Sequence, residues 1–206
     1  MDQFEYFFGF YSIVLGLSVV ELLAGVARAI ENRSSLKLSP LTLLLALFLA
    51  MDLSSYWLQA WMLYRGAPLS MAIITHGLIA AGSYFVAAYL VFPRSAKLKR
   101  GEGVDDHFWM TRRWVFGAVL LTNVLNVGTI ALLTGGFGFI GAPGYTAFIA
   151  TFYVACTIAA VAPRGRAVVL ALIWLVIFSM LAILMDSLSV ADGGWPIGGL
   201  PAAEAS

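Results

Sequence analysis

Charge is what this sequence has least of. Only 11% of its 206 residues are Asp, Glu, Lys or Arg, against roughly 25% in an average soluble domain. So few ionic groups cannot give a globule of this size a water-compatible surface. With 61% hydrophobic residues, most of the chain requires hydrocarbon as its solvent. Cysteine is nearly absent. The single Cys156 excludes an intrachain disulfide and a multi-thiolate metal site. Histidine is scarce too, and only His76 lies in an apolar stretch, which excludes a haem held by two intramembrane histidines. No lysine falls in any apolar stretch, so a retinal Schiff base has no attachment point. The leading residues carry Asp2 and Glu5 and no basic group. That is the wrong start for a cleavable signal peptide, and the first stretch is expected to stay in the protein.

What is present is six long apolar stretches. They run from about Phe4 to Ala27, Ser39-Pro40 to Tyr64, Leu69 to Phe92, Trp114 to Leu133, Tyr145 to Val161 and Ala167 to Val190. Each has about the length of one bilayer crossing as a helix. The twelve basic residues are unevenly shared. Arg28, Arg33, Lys37, Arg94, Lys97, Lys99, Arg100, Arg112, Arg113, Arg164 and Arg166 all lie in or beside alternate connections, and only Arg65 falls on the other side. Basic loops mark the cytoplasmic face. The reading is therefore an all-α polytopic membrane protein with six transmembrane helices, both termini outside and the basic loops cytoplasmic. Residues 1–191 form one transmembrane domain, and 192–206, rich in Gly and Pro, a flexible external tail. The expected location is the plasma membrane, as in a multi-pass protein of a bacterial inner membrane. The partners are the bilayer, anionic headgroups at the cytoplasmic face and a second copy or another membrane protein, but not nucleic acid.

Local signals refine this plan. Ser39-Pro40 is a good helix start, and Pro93 and Pro163 are stops. Asp105 and Asp106 suit the N-terminus of a helix continuing into the fourth span, and with His107 they read as a solvated helix start rather than as metal ligands. The aromatics Phe4, Tyr6, Phe7, Phe8, Phe10 and Tyr11 read as an interfacial belt. Ala147, Thr151, Ala155 and Ala159, and in the third span Gly77, Ala81 and Ala88, allow close helix approach. Thr134-Gly135-Gly136-Phe137-Gly138 superficially resembles a potassium-channel filter, yet it lacks the preceding pore helix and reads as a glycine turn. Three spans plus three permit an inverted repeat; beyond Phe8-Gly9 laid on Phe116-Gly117 the halves do not match.

Polar residues inside hydrocarbon are costly and mark the places to look. The candidates are Glu21, Asp52, Tyr56, Gln59, His76, Asn123 and Asn126. Asp52, Ser55, Tyr56 and Gln59 fall on one side of a helix, either as a wet stripe or as a hydrogen-bonded helix contact. Glu21 lies two turns from Arg28, about 10 Å along the axis, too far for tight pairing unless both side chains bend toward each other. Asn123 and Asn126 offer donors and acceptors but no exchangeable charge. His76 could handle protons at neutral pH or be a satisfied core residue. Asp186 reads as an interface residue near water.

No cofactor, metal site or catalytic constellation is expected. Three functions stay open: a small channel or carrier for protons, cations or a small polar solute; a non-catalytic assembly factor, sensor or complex subunit; and, less favoured, an intramembrane or lipid-headgroup enzyme. Convergence of Glu21, Asp52, His76 and Asn123 on one cavity would favour transport or catalysis, and dispersal would favour packing.

Overall fold

The computed structural model describes residues 3–31, 39–65, 70–93, 104–136 and 143–191. The tail at 192–206, most of the basic connection after Pro93, and residues 32–38, 66–69 and 137–142 lie outside the described residues. The described chain is all helical: α1 (Gln3–Glu31), α2 (Pro40–Arg65), α3 (Met71–Val91), α4 (Val104–Thr134), α5 (Pro143–Val161) and α6 (Arg166–Ala191).

Five of these helices are long and apolar enough to cross a membrane. In α5 the apolar part, Thr146–Val161, is shorter and spans about 24 Å at 1.5 Å per residue. Large apolar side chains lie on the outer surface, among them Leu132 at 85% exposure, Met71 at 76% and Trp114 at 72%. In water this surface would drive aggregation; in a bilayer it costs nothing. These features make the chain a multi-pass membrane protein.

The helix ends follow from their residues. The Ser39 hydroxyl accepts from the Leu41 N–H at 3.2 Å, and Pro40 fills a first-turn position that needs no N–H donor. Ser70 caps α3 by accepting from the Ile73 N–H. Phe92 turns to extended backbone, and Pro93 follows, unable to continue a helix. At the end of α4, Gly135 has φ 75° and the Gly136 N–H donates to the Ala131 carbonyl at 2.7 Å. This six-to-one closure needs a left-handed residue, which glycine supplies without steric cost. The described part of the filter-like glycine run is therefore a helix stop.

The packing closes a ring: α1 touches α3, α3 touches α4, then α5, α6, α2 and back to α1. Across the ring α2 also meets α3 and α4. Small residues set the close approaches on α3, where Gly77, Ala80, Ala81, Ala87 and Ala88 are buried. At Gly77 an added Cβ would stand 3.0 Å from Phe7 Cζ, and at Gly25 it would run into the Phe92 ring. Of the α5 stripe only Ala155 and Ala159 are buried; Ala147 and Thr151 face outward. The Thr151 hydroxyl instead accepts from the α6 Trp174 indole at 3.2 Å.

Two sequence expectations change here. The aromatics at the start of α1 are not a belt. Phe4, Phe7, Phe8 and Tyr11 are buried, while Tyr6 and Phe10 are exposed. Positions 4, 7, 8 and 11 share one helical face, and that face packs edge-on against Trp61 and Tyr64 of α2.

The second change is at the start of α4, which begins ten residues before Trp114: Asp105 and Asp106 stand in its accessible first turn as expected, but they and His107 also make tertiary contacts. Asp105 accepts from the Ser39 hydroxyl at the head of α2. The His107 ring Nε2 lies 3.0 Å from the Leu90 carbonyl at the foot of α3. Asp106 pairs with Arg164 at 3.3 Å. Arg112, expected as a surface anchor, is 4% exposed. Its guanidinium donates to the Ala159 carbonyl at 2.8 Å and to the Ala162 carbonyl, closing the last turn of α5 with a fixed positive charge. Trp109 stacks between Arg112 and Arg164, 4.7 and 5.7 Å from its ring centre. One end of the bundle, the basic end, is thus tied by five side chains of α4.

Candidate functional site

The polar residues named from the sequence fall into three places. At the centre is Asp52, midway along α2. Its carboxylate accepts from the Tyr84 hydroxyl of α3 at 2.8 Å. One turn toward the basic end, Phe48 on the same face stacks on Phe116 of α4 at 6.0 Å and approaches Phe152 of α5 at 6.3 Å. Two turns the other way, the Gln59 carbonyl accepts from the Asn126 amide of α4 at 3.1 Å. Phe48, Asp52, Ser55 and Gln59 lie within an arc of about 60° at 100° per residue. The partners of Phe48, Asp52 and Gln59 sit on α3, α4 and α5, so this face turns toward those helices.

The accessibility along that face is unusual. Asp52 and Ser55 are only half-buried and Gln59 is exposed, whereas Leu53, Tyr56, Ala60 and Leu63 beside them are buried. Toward the basic end the row of Phe48, Phe116, Phe152 and Phe178 is buried and offers no polar atom. Asp52 therefore stands where a polar face ends on an aromatic floor.

The second place is the contact of α1, α2 and α3. Tyr56 turns away from Gln59 and toward Tyr84, ring centres 5.0 Å apart, and it adjoins Tyr11 and Tyr64. Tyr11 and Tyr64 meet edge-on at 5.7 Å. The Tyr64 hydroxyl lies 2.7 Å from His76 Nδ1. His76 is thus joined to the Asp52 region through tyrosines and not directly.

The third place holds residues outside both groups. Glu21 and Arg28 bend toward each other and pair at 3.1 Å, half-buried near the basic end. The seven-residue gap that looked too long is closed by two long flexible side chains. Asn123 donates to the Val119 carbonyl of its own helix at 3.0 Å and reaches none of the other candidates through that bond. Convergence is partial: Asp52, Tyr56, Gln59, Asn126 and, through Tyr64, His76 come together, while Glu21 and Asn123 stand apart. The side chain of Asp186 lies outside the described residues.

Three members of the site, Tyr11, Tyr64 and Tyr84, were not singled out from the sequence. Tyr84 carried a usable signal. A phenol at the middle of an apolar run must find a partner for its O–H, just as Asp52 must find a donor. Tyr11 and Tyr64 sit near expected span ends, where an interfacial role explains a tyrosine equally well.

Among the described residues no group of three or more His, Cys, Asp or Glu side chains is placed to hold a metal ion. Comparison with protein-family models, with curated proteins and with solved structures gives no match.

Proposed function

We propose that this chain is a small transport protein of six membrane-spanning helices that moves protons, cations or a small polar solute past Asp52. In this reading both termini lie outside and the basic end faces the cytoplasm, by the sparse Lys and Arg on the opposite side, and the membrane is a plasma membrane such as a bacterial inner membrane. The exposed Arg113 and Arg166 meet anionic headgroups there.

One observation carries the reading: an ionisable carboxylate, half-buried at mid-bundle, on an α2 face that looks at three other helices. An ionised group in hydrocarbon costs about 2.5–3.5 kcal/mol on insertion scales. A packing contact does not need that residue type. A site that takes up and releases a cation does. In this reading Phe48, Phe116 and Phe152 form the barrier below it, and passage requires those rings to turn.

The test is flux in proteoliposomes under an imposed ion or pH gradient. Asp52→Asn keeps shape and hydrogen-bonding capacity while removing the charge. It is expected to abolish flux while the protein stays monodisperse in detergent. Full flux from the Asn variant would sink the transport reading and favour a non-catalytic membrane component.

A further inference from the structure

We infer that the transported species is the proton, and that His76, Tyr64, Tyr11, Tyr56 and Tyr84 form its relay to Asp52. This deepens the transport reading and rests on it. The relay is a second route, through the contact of α1, α2 and α3, separate from the Gln59 face of α2.

The two ends of the relay are hydrogen-bonded now. Tyr84 donates to Asp52 Oδ2 at 2.8 Å, and the Tyr64 hydroxyl lies 2.7 Å from His76 Nδ1. Between them stand two hydroxyls, on Tyr11 and Tyr56. Both are buried, and neither meets a partner at good hydrogen-bond geometry. They nevertheless lie beside each other and beside Tyr64 and Tyr84. A buried hydroxyl without a partner forfeits about 1–3 kcal/mol. Tyr11 and Tyr56 are near enough to each other, and Tyr56 to Tyr64, for small rotations to close those bonds. They are suited to a chain whose bonds form in passing. Phenylalanine would fill the same space on the same helices without that penalty.

The proton balance is simple. A protonated His76 gives its Nδ1 proton to the Tyr64 oxygen as Tyr64 passes its own proton to the next hydroxyl. Each phenol gains one proton and loses one. Tyr84 delivers the last to Asp52 Oδ2. His76 ends neutral, Asp52 ends as the neutral acid, and no electrons move. Rotation of the hydroxyls resets the chain, and Asp52 gives the proton up toward the basic end when the Phe48, Phe116 and Phe152 rings turn. A sodium or potassium ion has no such route, because the tyrosine cluster offers it no continuous polar passage. His76 lies in the half of α3 nearer the Arg65 end of the bundle and its Nε2 is buried, so the relay loads from that side when water reaches Nε2.

The experiment uses the full chain in liposomes with an entrapped pH dye and a potassium diffusion potential. The variants are Tyr64→Phe, Tyr56→Phe, Tyr84→Phe, His76→Gln and Asp52→Asn, with Tyr6→Phe as an exposed control. Each tyrosine change deletes one oxygen, and thermal melting in detergent verifies the fold. Wild type and Tyr6→Phe should acidify at equal rates. The relay variants should lose about a hundredfold, the low end of what one proton-transfer group contributes, and Asp52→Asn should be silent. Proton flux that survives the tyrosine changes but not Asp52→Asn overturns the relay and leaves transport standing. Flux of an alkali cation without protons has the same consequence. Absence of any flux from wild type removes both.

Discussion

Tyr84 donates its hydroxyl to Asp52 across 2.8 Å, joining the middle of α3 to the middle of α2, two helices that otherwise touch little. This bond is a structural tie as well as a part of the site. Tyr84→Phe is expected to lower stability in detergent by about 0.6–1.7 kcal/mol, the range for interhelical hydrogen bonds in membranes. Denaturation in mixed micelles measures it. A variant as stable as the parent would show that the carboxylate finds another donor.

The Gln59–Asn126 amide pair gives a cleaner number through a double-mutant cycle. Gln59→Leu and Asn126→Leu together should cost less than the sum of the single changes, with a coupling of about 0.6 kcal/mol. Additive costs would mean that the two amides do not depend on each other.

Gly25 permits α1 to lie against Phe92. Gly25→Leu should destabilise by about 1–3 kcal/mol, as overpacking does. Phe92→Ala in the same chain should recover part of the loss. Failure of the second change to help would place the collision elsewhere.

Arg112 is expected to tolerate no replacement well. Methionine keeps the stem but abandons the Ala159 and Ala162 carbonyls, at about 1.5–3 kcal/mol for each bond to a charged group. Lysine should recover only part, since a point charge cannot fork to two acceptors. Melting temperature and yield of folded protein report the order arginine, lysine, methionine.

Sidedness is open to direct labelling. Cys156 is buried, so a Cys156→Ala parent carries no background. A membrane-impermeant maleimide added to intact cells should modify Arg65→Cys and leave Arg113→Cys and Arg166→Cys untouched. The reverse pattern would invert the assigned orientation.

Much of the architecture was legible because it follows from one-dimensional signals. Ser39-Pro40, Pro93 and the Gly135 stop are local, and each acts on the backbone nearest to it. The interior of the site was legible only by residue type. Asp52 and Gln59 announced themselves as polar groups in hydrocarbon, but nothing along the chain says that Tyr56 turns toward α1 while Gln59 turns toward α4. That choice depends on which helices meet, and helix pairing in a membrane carries weak sequence signals because lipid and leucine are nearly equivalent neighbours. The role of Arg112 was hidden for a related reason. In sequence it belongs to a basic cluster; in space its partners lie 47 and 50 residues away.

The grip of α4 on its neighbours bears on how the protein is made. Helices leave the ribosome in order, so α1, α2 and α3 must wait in the bilayer while the Leu90 carbonyl and the Ser39 hydroxyl lack their eventual companions. Only when the segment carrying Asp105 and His107 emerges are those two ends secured, and α5 is fastened later still by an arginine already in place. A nascent chain halted before Val104 should accordingly be a short-lived target for membrane proteases, whereas one halted after Ala162 should persist.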